Sequence, residues 1–176
     1  KMNDSINCGY EVVQGFRDTK NICDNWLSTS YAILYYLQSL FINKSRFNFG
    51  MSSFLNGTGF MVKKETIDRY GYDPKTITED IEYTAICAIN GIKIAFNENA
   101  ITYDEQVTDF KSSLKQRKRW SFGAIQCLKN YTGSLIKEGI KNKRFECFDV
   151  VIFYFGIIFY VLFTIVSLIG IFYNVF

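Results

Sequence analysis

Thr78-Glu79-Asp80-Ile81-Glu82-Tyr83-Thr84-Ala85-Ile86-Cys87-Ala88-Ile89-Asn90-Gly91-Ile92-Lys93-Ile94-Ala95-Phe96 reads as a helix that is stopped and turned into a strand. Ile81, Ala85, Ala88 and Ile89 fall at i, i+4, i+7 and i+8, the spacing of one buried helical stripe. Asn90-Gly91 provides the left-handed residue at which helices end. Ile92 to Phe96 then alternates as a half-buried strand does. At the other end Thr76 and Glu79 have capping-box spacing, and Thr78 is an equally good cap. The helix therefore opens on two adjacent carboxylates, Glu79 and Asp80.

Toward the N-terminus, Glu11-Val12-Val13-Gln14-Gly15 is a β-branched run closed by glycine, a strand. Phe16 to Asn21 carries mixed charge with no period and reads as a solvated loop, although an arginine there could meet a phosphate. Asp24 or Asn25 caps a helix running to about Asn43, with no charge between Asp24 and Lys44. Its Trp26, Leu27, Tyr31, Leu34, Tyr35, Leu37 and Phe41 form a broad apolar and aromatic surface. Core packing and a place in a membrane interface both account for such a surface. In Asn56-Gly57-Thr58-Gly59 two glycines one residue apart mark a tight turn or a close backbone approach to a ligand. Met61 to Ile67 reads as a strand end entering a short helix, and Asp68 to Pro74 as a loop.

Toward the C-terminus, Ala100 to Tyr103 is a second short strand, and Thr108-Asp109 starts a helix that continues to about Tyr131. This helix holds Gln116-Arg117-Lys118-Arg119-Trp120, and Gln116, Arg119 and Trp120, at i, i+3 and i+4, share one face. A cationic run of this kind is most often solvated or phosphate-binding; RNA and anionic lipid headgroups are other partners for it. From Val150 to Phe176 no residue is charged. At ~1.5 Å rise per residue that run exceeds the ~30 Å hydrocarbon core, so a membrane span is expected over 148–176. Lys129, Lys137, Lys141, Lys143 and Arg144 precede it, which by the positive-inside rule puts the preceding domain on the cytoplasmic side.

Composition removes several chemistries. The 176 residues include no histidine, which excludes Ser-His-Asp and Cys-His catalysis and the usual His-bearing zinc sites. A general base must then be a carboxylate, Lys, Tyr or Cys. The 5 cysteines are odd in number and include no Cys-x-x-Cys, as expected of free thiols in a reducing compartment. A net charge of +3 gives no argument for nucleic acid. The chain starts at Lys1 and stops within the apolar run, and is expected to be a piece of a longer protein.

Acidic residues in a first helical turn most often complement the helix dipole, which also lowers a carboxylate's pKa. A proton acceptor there needs burial or a nearby anion to offset that. Arginine suits bidentate contact with a diphosphate, and tryptophan offers a flat face to a sugar ring.

The order of these segments resembles that of processive, membrane-embedded family 2 glycosyltransferases, the cellulose, chitin, hyaluronan and poly-N-acetylglucosamine synthases. The resemblance rests on Asn56-Gly57-Thr58-Gly59, Thr78-Glu79-Asp80, Gln116-x-x-Arg119-Trp120 and the apolar run, together with Val13-Gln14-Gly15 and Ala88 to Ala95. It implies an α/β fold, the acceptor-side half of a GT-A-type domain over 1–147, followed by a transmembrane helix. Asp80 would be the catalytic base with Glu79 beside it. Thr78, Gln116, Arg119 and Trp120 would bind the donor diphosphate and acceptor, and Gly57, Thr58 and Gly59 would border the acceptor sugar. The expected reaction is inverting transfer of a hexosyl group from a nucleotide-sugar, UDP-linked, to a growing polysaccharide or glycolipid at the cytoplasmic face of the cell membrane, in a multi-pass parent. A Mg2+ or Mn2+ ion would be held by an Asp-x-Asp that the family carries upstream of these segments and that has no counterpart here, so the chain alone is expected to be inactive. The alternative is a non-catalytic membrane-anchored scaffold or pseudoenzyme with a lipid-binding basic helix. Nucleic acid is not an expected partner.

Overall fold

A computed structural model describes residues 1–175, with the side chains at 157, 158, 161, 168, 172, 174 and 175 outside the description. The elements are α1 (Met2–Asn7), β1 (Val12–Thr19), α2 (Trp26–Leu37) with a π-helical continuation (Gln38–Lys44) and a last turn α3 (Ser45–Asn48), β2 (Phe60–Val62), α4 (Lys64–Tyr70), α5 (Glu79–Asn90), β3 (Ile94–Asp104), α6 (Phe110–Asn142) and α7 (Phe145–Val175).

The three strands form one mixed sheet in the order β2-β1-β3. β1 runs antiparallel to β2 and parallel to β3. Its register on β3 jumps in mid-strand: Gly15 lies opposite Asn97, but Phe16 lies opposite Ile101. Past that irregularity Phe16 to Thr19 pairs with Ile101 to Asp104. Two expectations are corrected here. The loop expected from Phe16 is strand as far as Thr19, and the two strands expected at Ile92–Phe96 and Ala100–Tyr103 are one. Mixed charge concealed the first, because Arg17 and Thr19 are buried by tertiary partners that local composition does not reveal.

α5 is packed on two sides. Ile81, Ala85, Ala88 and Ile89, the expected stripe, join Phe54 and the α6 and α7 residues Cys127, Leu135, Cys147, Val150 and Tyr154. Tyr83 and Cys87 turn the other way onto Val12, Leu55, Ile92 and Ile94 of the sheet side. Periodicity found one face because the second is mixed with buried Glu82 and Thr84. The helix ends as expected, with Gly91 left-handed at φ 72°.

α2 is capped by Asn25, whose Oδ1 accepts from Leu27 N and Ser28 N, both at 3.0 Å. α6 is capped by Asp109 and runs on past Tyr131 to Asn142, because Leu135 and Gly139 are buried against α7. The first turns of α7 belong to the core through Cys147, Val150 and Tyr154. An ion pair from Arg46 to Asp149 ties α3 to the same place. Beyond Tyr154 every described side chain of α7 is exposed or half-buried, Phe159, Tyr160, Phe163 and Val166 among them. Among the described residues no helix is long and apolar enough to cross a membrane. The expected span over 148–176 falls partly outside those residues.

Candidate active site

The turn Asn56-Gly57-Thr58-Gly59 is built for close approach. Gly57 and Gly59 have φ of +78° and +62°, a region that side chains with a β-carbon rarely enter. Gln14, buried on β1, grips the turn from both ends: its Oε1 accepts from Asn56 N at 3.0 Å and its Nε2 donates to Thr58 O at 2.9 Å. Arg17 Nη1 donates to Asn56 O at 2.8 Å, and Asn43 Nδ2 donates to Asn56 Oδ1 at 3.3 Å. A β-carbon built on Gly57 would stand 3.3 Å from Asp80 Oδ2, so this turn faces the acidic start of α5 directly.

Asp80 is accordingly unusual for a residue in a first helical turn. Burial pushes its carboxyl up to about 6 from an ordinary 3.8, and Glu79 pushes the same way. A hydrogen bond from Ile81 N and the Arg17 guanidinium oppose them without prevailing. The helix dipole's preference for a charged carboxylate is thus outweighed by loss of water. Tyr35, on α2, lies within the electrostatic reach of both Asp80 and Arg17, and burial pushes its hydroxyl up to about 12.

An aromatic path joins this carboxylate to α6. Tyr35 stacks on Tyr31 with ring centroids 6.2 Å apart, and Tyr31 meets Trp120 edge-on at 6.1 Å. The Tyr31 hydroxyl pairs with Ser113 Oγ at 2.8 Å and accepts from Arg117 Nε at 3.2 Å. Trp120 thus packs on the Tyr31–Tyr35 cluster of α2, whose Tyr35 lies within electrostatic reach of Asp80. The rest of the shared helical face divides. Gln116 is half-buried, whereas Arg119 is exposed, and among the described residues it forms no hydrogen bond or ion pair. Glu79 is half-buried beside Asp80.

Thr78 occupies the N-cap position of α5, but its side chain makes no capping bond. It faces α6 instead, with Oγ1 3.8 Å from Cys127 Sγ and a β-carbon built on Gly123 only 2.4 Å from the same oxygen. The capping box expected from Thr76 and Glu79 is not formed. Thr76 N donates to Glu82 Oε2 at 2.7 Å, and Lys75 N donates to the same carboxylate at 2.9 Å. The Tyr131 hydroxyl of α6 completes the set. Glu82, 1% exposed, thus pins the loop ahead of α5 to α6. Burial raises its pKa, but the bonds from Tyr131, Lys75 and Thr76 outweigh that and leave the carboxyl below its ordinary 4.5. A depressed carboxylate stabilises the fold above its unfolded pKa, and that contribution is lost as pH falls through the folded one. Glu82→Ala is expected to cost about 2–3 kcal/mol at pH 7, a cost that fades below pH ~4 in denaturant titrations.

Five buried polar atoms of this region lack a hydrogen-bond partner among the described residues: Tyr35 Oη, Arg17 Nε, Asn56 Nδ2, Thr58 Oγ1 and Gln116 Oε1. Each such atom costs about 1–3 kcal/mol when left unpaired, and those of Arg17, Tyr35, Asn56 and Thr58, on or beside the glycine turn and the Arg17 guanidinium, suit a ligand rich in hydroxyls. A separate cleft of about 670 Å3, lined by Asn3, Glu11, Lys63 and Arg69 among others, shares no residue with this region. Among the described residues no three Cys, Asp or Glu side chains gather as metal ligands.

Sequence reading missed Gln14, Arg17, Tyr35 and Asn56 as parts of the site. Gln14 carried a usable signal, since a polar side chain inside a β-branched run is buried and must be bonded. Arg17 was legible only as a loop arginine that could meet a phosphate and Asn56 only as the start of the glycine turn, because the partners that bury them lie far along the chain.

The chain belongs to glycosyl transferase family group 2, whose model matches residues 7–175. It is similar to the probable glycosyltransferase YdaM of Bacillus subtilis (strain 168), at 24% identity over 160 residues. That match covers 87% of this chain and 34% of YdaM, so the chain spans about a third of the length of that relative.

Proposed function

We propose that this chain supplies the acceptor-side half of an inverting glycosyltransferase site, with Asp80 as the general base. The observation that carries the reading is a half-buried carboxyl, raised to about 6, set against the Gly57 turn. A base with a pKa near the working pH is both deprotonated and basic enough to accept a proton. Asp80 takes the proton from an acceptor hydroxyl as that oxygen attacks the anomeric carbon of a nucleotide-sugar. The bond to the leaving nucleoside diphosphate breaks in the same step, and the configuration inverts. The unpaired polar atoms of Tyr35, Asn56, Thr58 and Gln116 suit the hydroxyls of the acceptor sugar, Trp120 suits its apolar face, and Arg119 suits the diphosphate. Thr78 and Glu79 flank the base.

A UDP-linked hexose or N-acetylhexosamine is the proposed donor and a polysaccharide or glycolipid the acceptor. A divalent metal, Mg2+ or Mn2+, would neutralise the leaving diphosphate. Among the described residues no Cys, Asp or Glu cluster forms a site for it. The uncharged run from Val150 and the exposed apolar side chains of α7 support membrane attachment, with the cationic end of α6 at the cytoplasmic face. The complete protein is expected to stay in the membrane pellet after alkaline carbonate washing; release into the supernatant would refute the attachment.

The test of function is radiolabelled sugar transfer by the complete protein from a panel of nucleotide-sugars, with the anomeric configuration of the product read by NMR. Transfer that survives intact in Asp80→Asn, or a retained anomeric configuration, would overturn this reading. A second reading, a non-catalytic scaffold whose basic helix meets anionic lipids, draws on the exposed Lys111, Lys115, Lys118 and Arg119 of α6. No transfer from any donor, with binding to anionic vesicles that these residues control, would favour it.

A further inference from the structure

Taking Asp80 as the base, we propose that Arg17 is its positioning residue: the guanidinium seats the Gly57 turn against the Asp80 carboxylate and divides its charge between Asp104 and Asp80. Arg17 is 7% exposed, rare for an arginine without a dedicated purpose. Three sides of its guanidinium are occupied. Nη1 donates to Asn56 O at 2.8 Å, one residue before Gly57. Nη2 pairs with Asp104 at the end of β3. Its flat face lies over the Tyr35 ring, 3.7 Å from the centroid. The register jump after Gly15 is what brings Arg17 opposite Thr102, within reach of Asp104 and the turn together.

The role is not simply to hold the turn. Gln14 and Asn43 also bond Asn56, so the turn keeps two anchors without Arg17. What no other residue supplies is the positive charge. The groups that face Asp80 are Glu79 on its own helix, Arg17 from β1, Tyr35 from α2, Tyr72 from the loop before α5 and Cys127 from α6. Burial raises the pKa of Tyr35, Tyr72 and Cys127, so all three are neutral below pH 8. Glu79 and Arg17 are then the groups whose charges act on the base. Glu79 raises its pKa and Arg17 lowers it. Asp104 competes for the same guanidinium.

That competition gives variants of opposite sign. In the complete protein, kcat/KM for sugar transfer is followed against pH, and its acidic limb reports the base of the free enzyme. Arg17→Gln is expected to move the limb to higher pH by about 1 unit, the low end of what a neighbouring guanidinium does to a carboxylate. Asp104→Asn frees the guanidinium to act on Asp80 and is expected to move the limb to lower pH. Arg17→Lys, which keeps the charge and loses the fork, is expected to leave the limb near the wild-type position while kcat falls. Should Arg17→Gln fail to fold, the direction of the Asp104→Asn shift decides alone. A limb unmoved or raised in Asp104→Asn overturns the proposal while leaving Asp80 as the base. Full turnover in Asp80→Asn overturns the reading on which the proposal rests.

Discussion

Asp80→Asn in the complete protein is expected to lower sugar transfer by roughly 10²–10⁴-fold while raising the stability of the fold at neutral pH. The loss follows from removing the proton acceptor, and donor binding should change little. The gain follows from the environment of the same group. Asparagine has nearly the same shape, and its Oδ1 can still accept from Ile81 N, as Asp80 Oδ1 does at 2.8 Å. It carries no charge for burial to penalise. The carboxyl is raised from 3.8 to about 6, so its linked contribution to folding is fully present below pH ~4 and is lost as pH rises through ~6. At pH 7 the native protein holds a half-buried charge at a cost of about 2–3 kcal/mol, which the amide removes. Melting temperatures at pH 7 and pH 4 check this: the variant should be the more stable at pH 7, and the difference should close at pH 4. Loss of activity together with loss of stability would point to misfolding and sink the assignment.

Gly123→Ala is expected to destabilise the domain by about 1–3 kcal/mol and to reduce turnover by roughly 10²-fold. The new methyl group would lie 2.4 Å from Thr78 Oγ1, 2.5 Å from its Cγ2 and 2.9 Å from its Cβ. Rotating the threonine relieves the first two contacts but not the third, because Cβ moves only with the backbone. α6 must therefore draw back from the start of α5, two residues from Asp80, and a displacement of about 1 Å at a reacting group is enough for such a loss. Thr78→Ala combined with Gly123→Ala should recover part of the stability. A double variant no better than Gly123→Ala, measured by denaturant unfolding, would show that the contact is not the cause.

Asp80 and Glu82, two of the three acidic residues in the first turn of α5, illustrate how far sequence reading reaches. Thr78-Glu79-Asp80 marked a helix start, and the helix, its stop at Gly91 and its apolar stripe all follow from local spacing. The opposite electrostatics of the two acids do not. Asp80 is raised because a glycine turn more than twenty residues earlier in the chain covers it, and Glu82 is depressed because Lys75, Thr76 and Tyr131 donate to it. Likewise Gln116, Arg119 and Trp120 were legible as one helical face. That Trp120 turns to Tyr31 while Arg119 stays in solvent depends on where α2 lies. Local order was written in periodicity, caps and glycines. The surroundings of each charge came from contacts distant in the chain, and β1 concealed them most, because a register jump gave a polar stretch a buried place.

The way α7 begins limits how this domain can be shortened. Tyr154 donates to Ile81 O at 3.2 Å, one residue beyond the proposed base, and Phe153 packs on Phe54 at 4.6 Å. A version trimmed before Val150 to shed its apolar tail would uncover Phe54, Ala85 and Ala88 and invite aggregation. A water-soluble form must instead retain the helix through Tyr154 and exchange the outward-facing side chains that follow for polar ones.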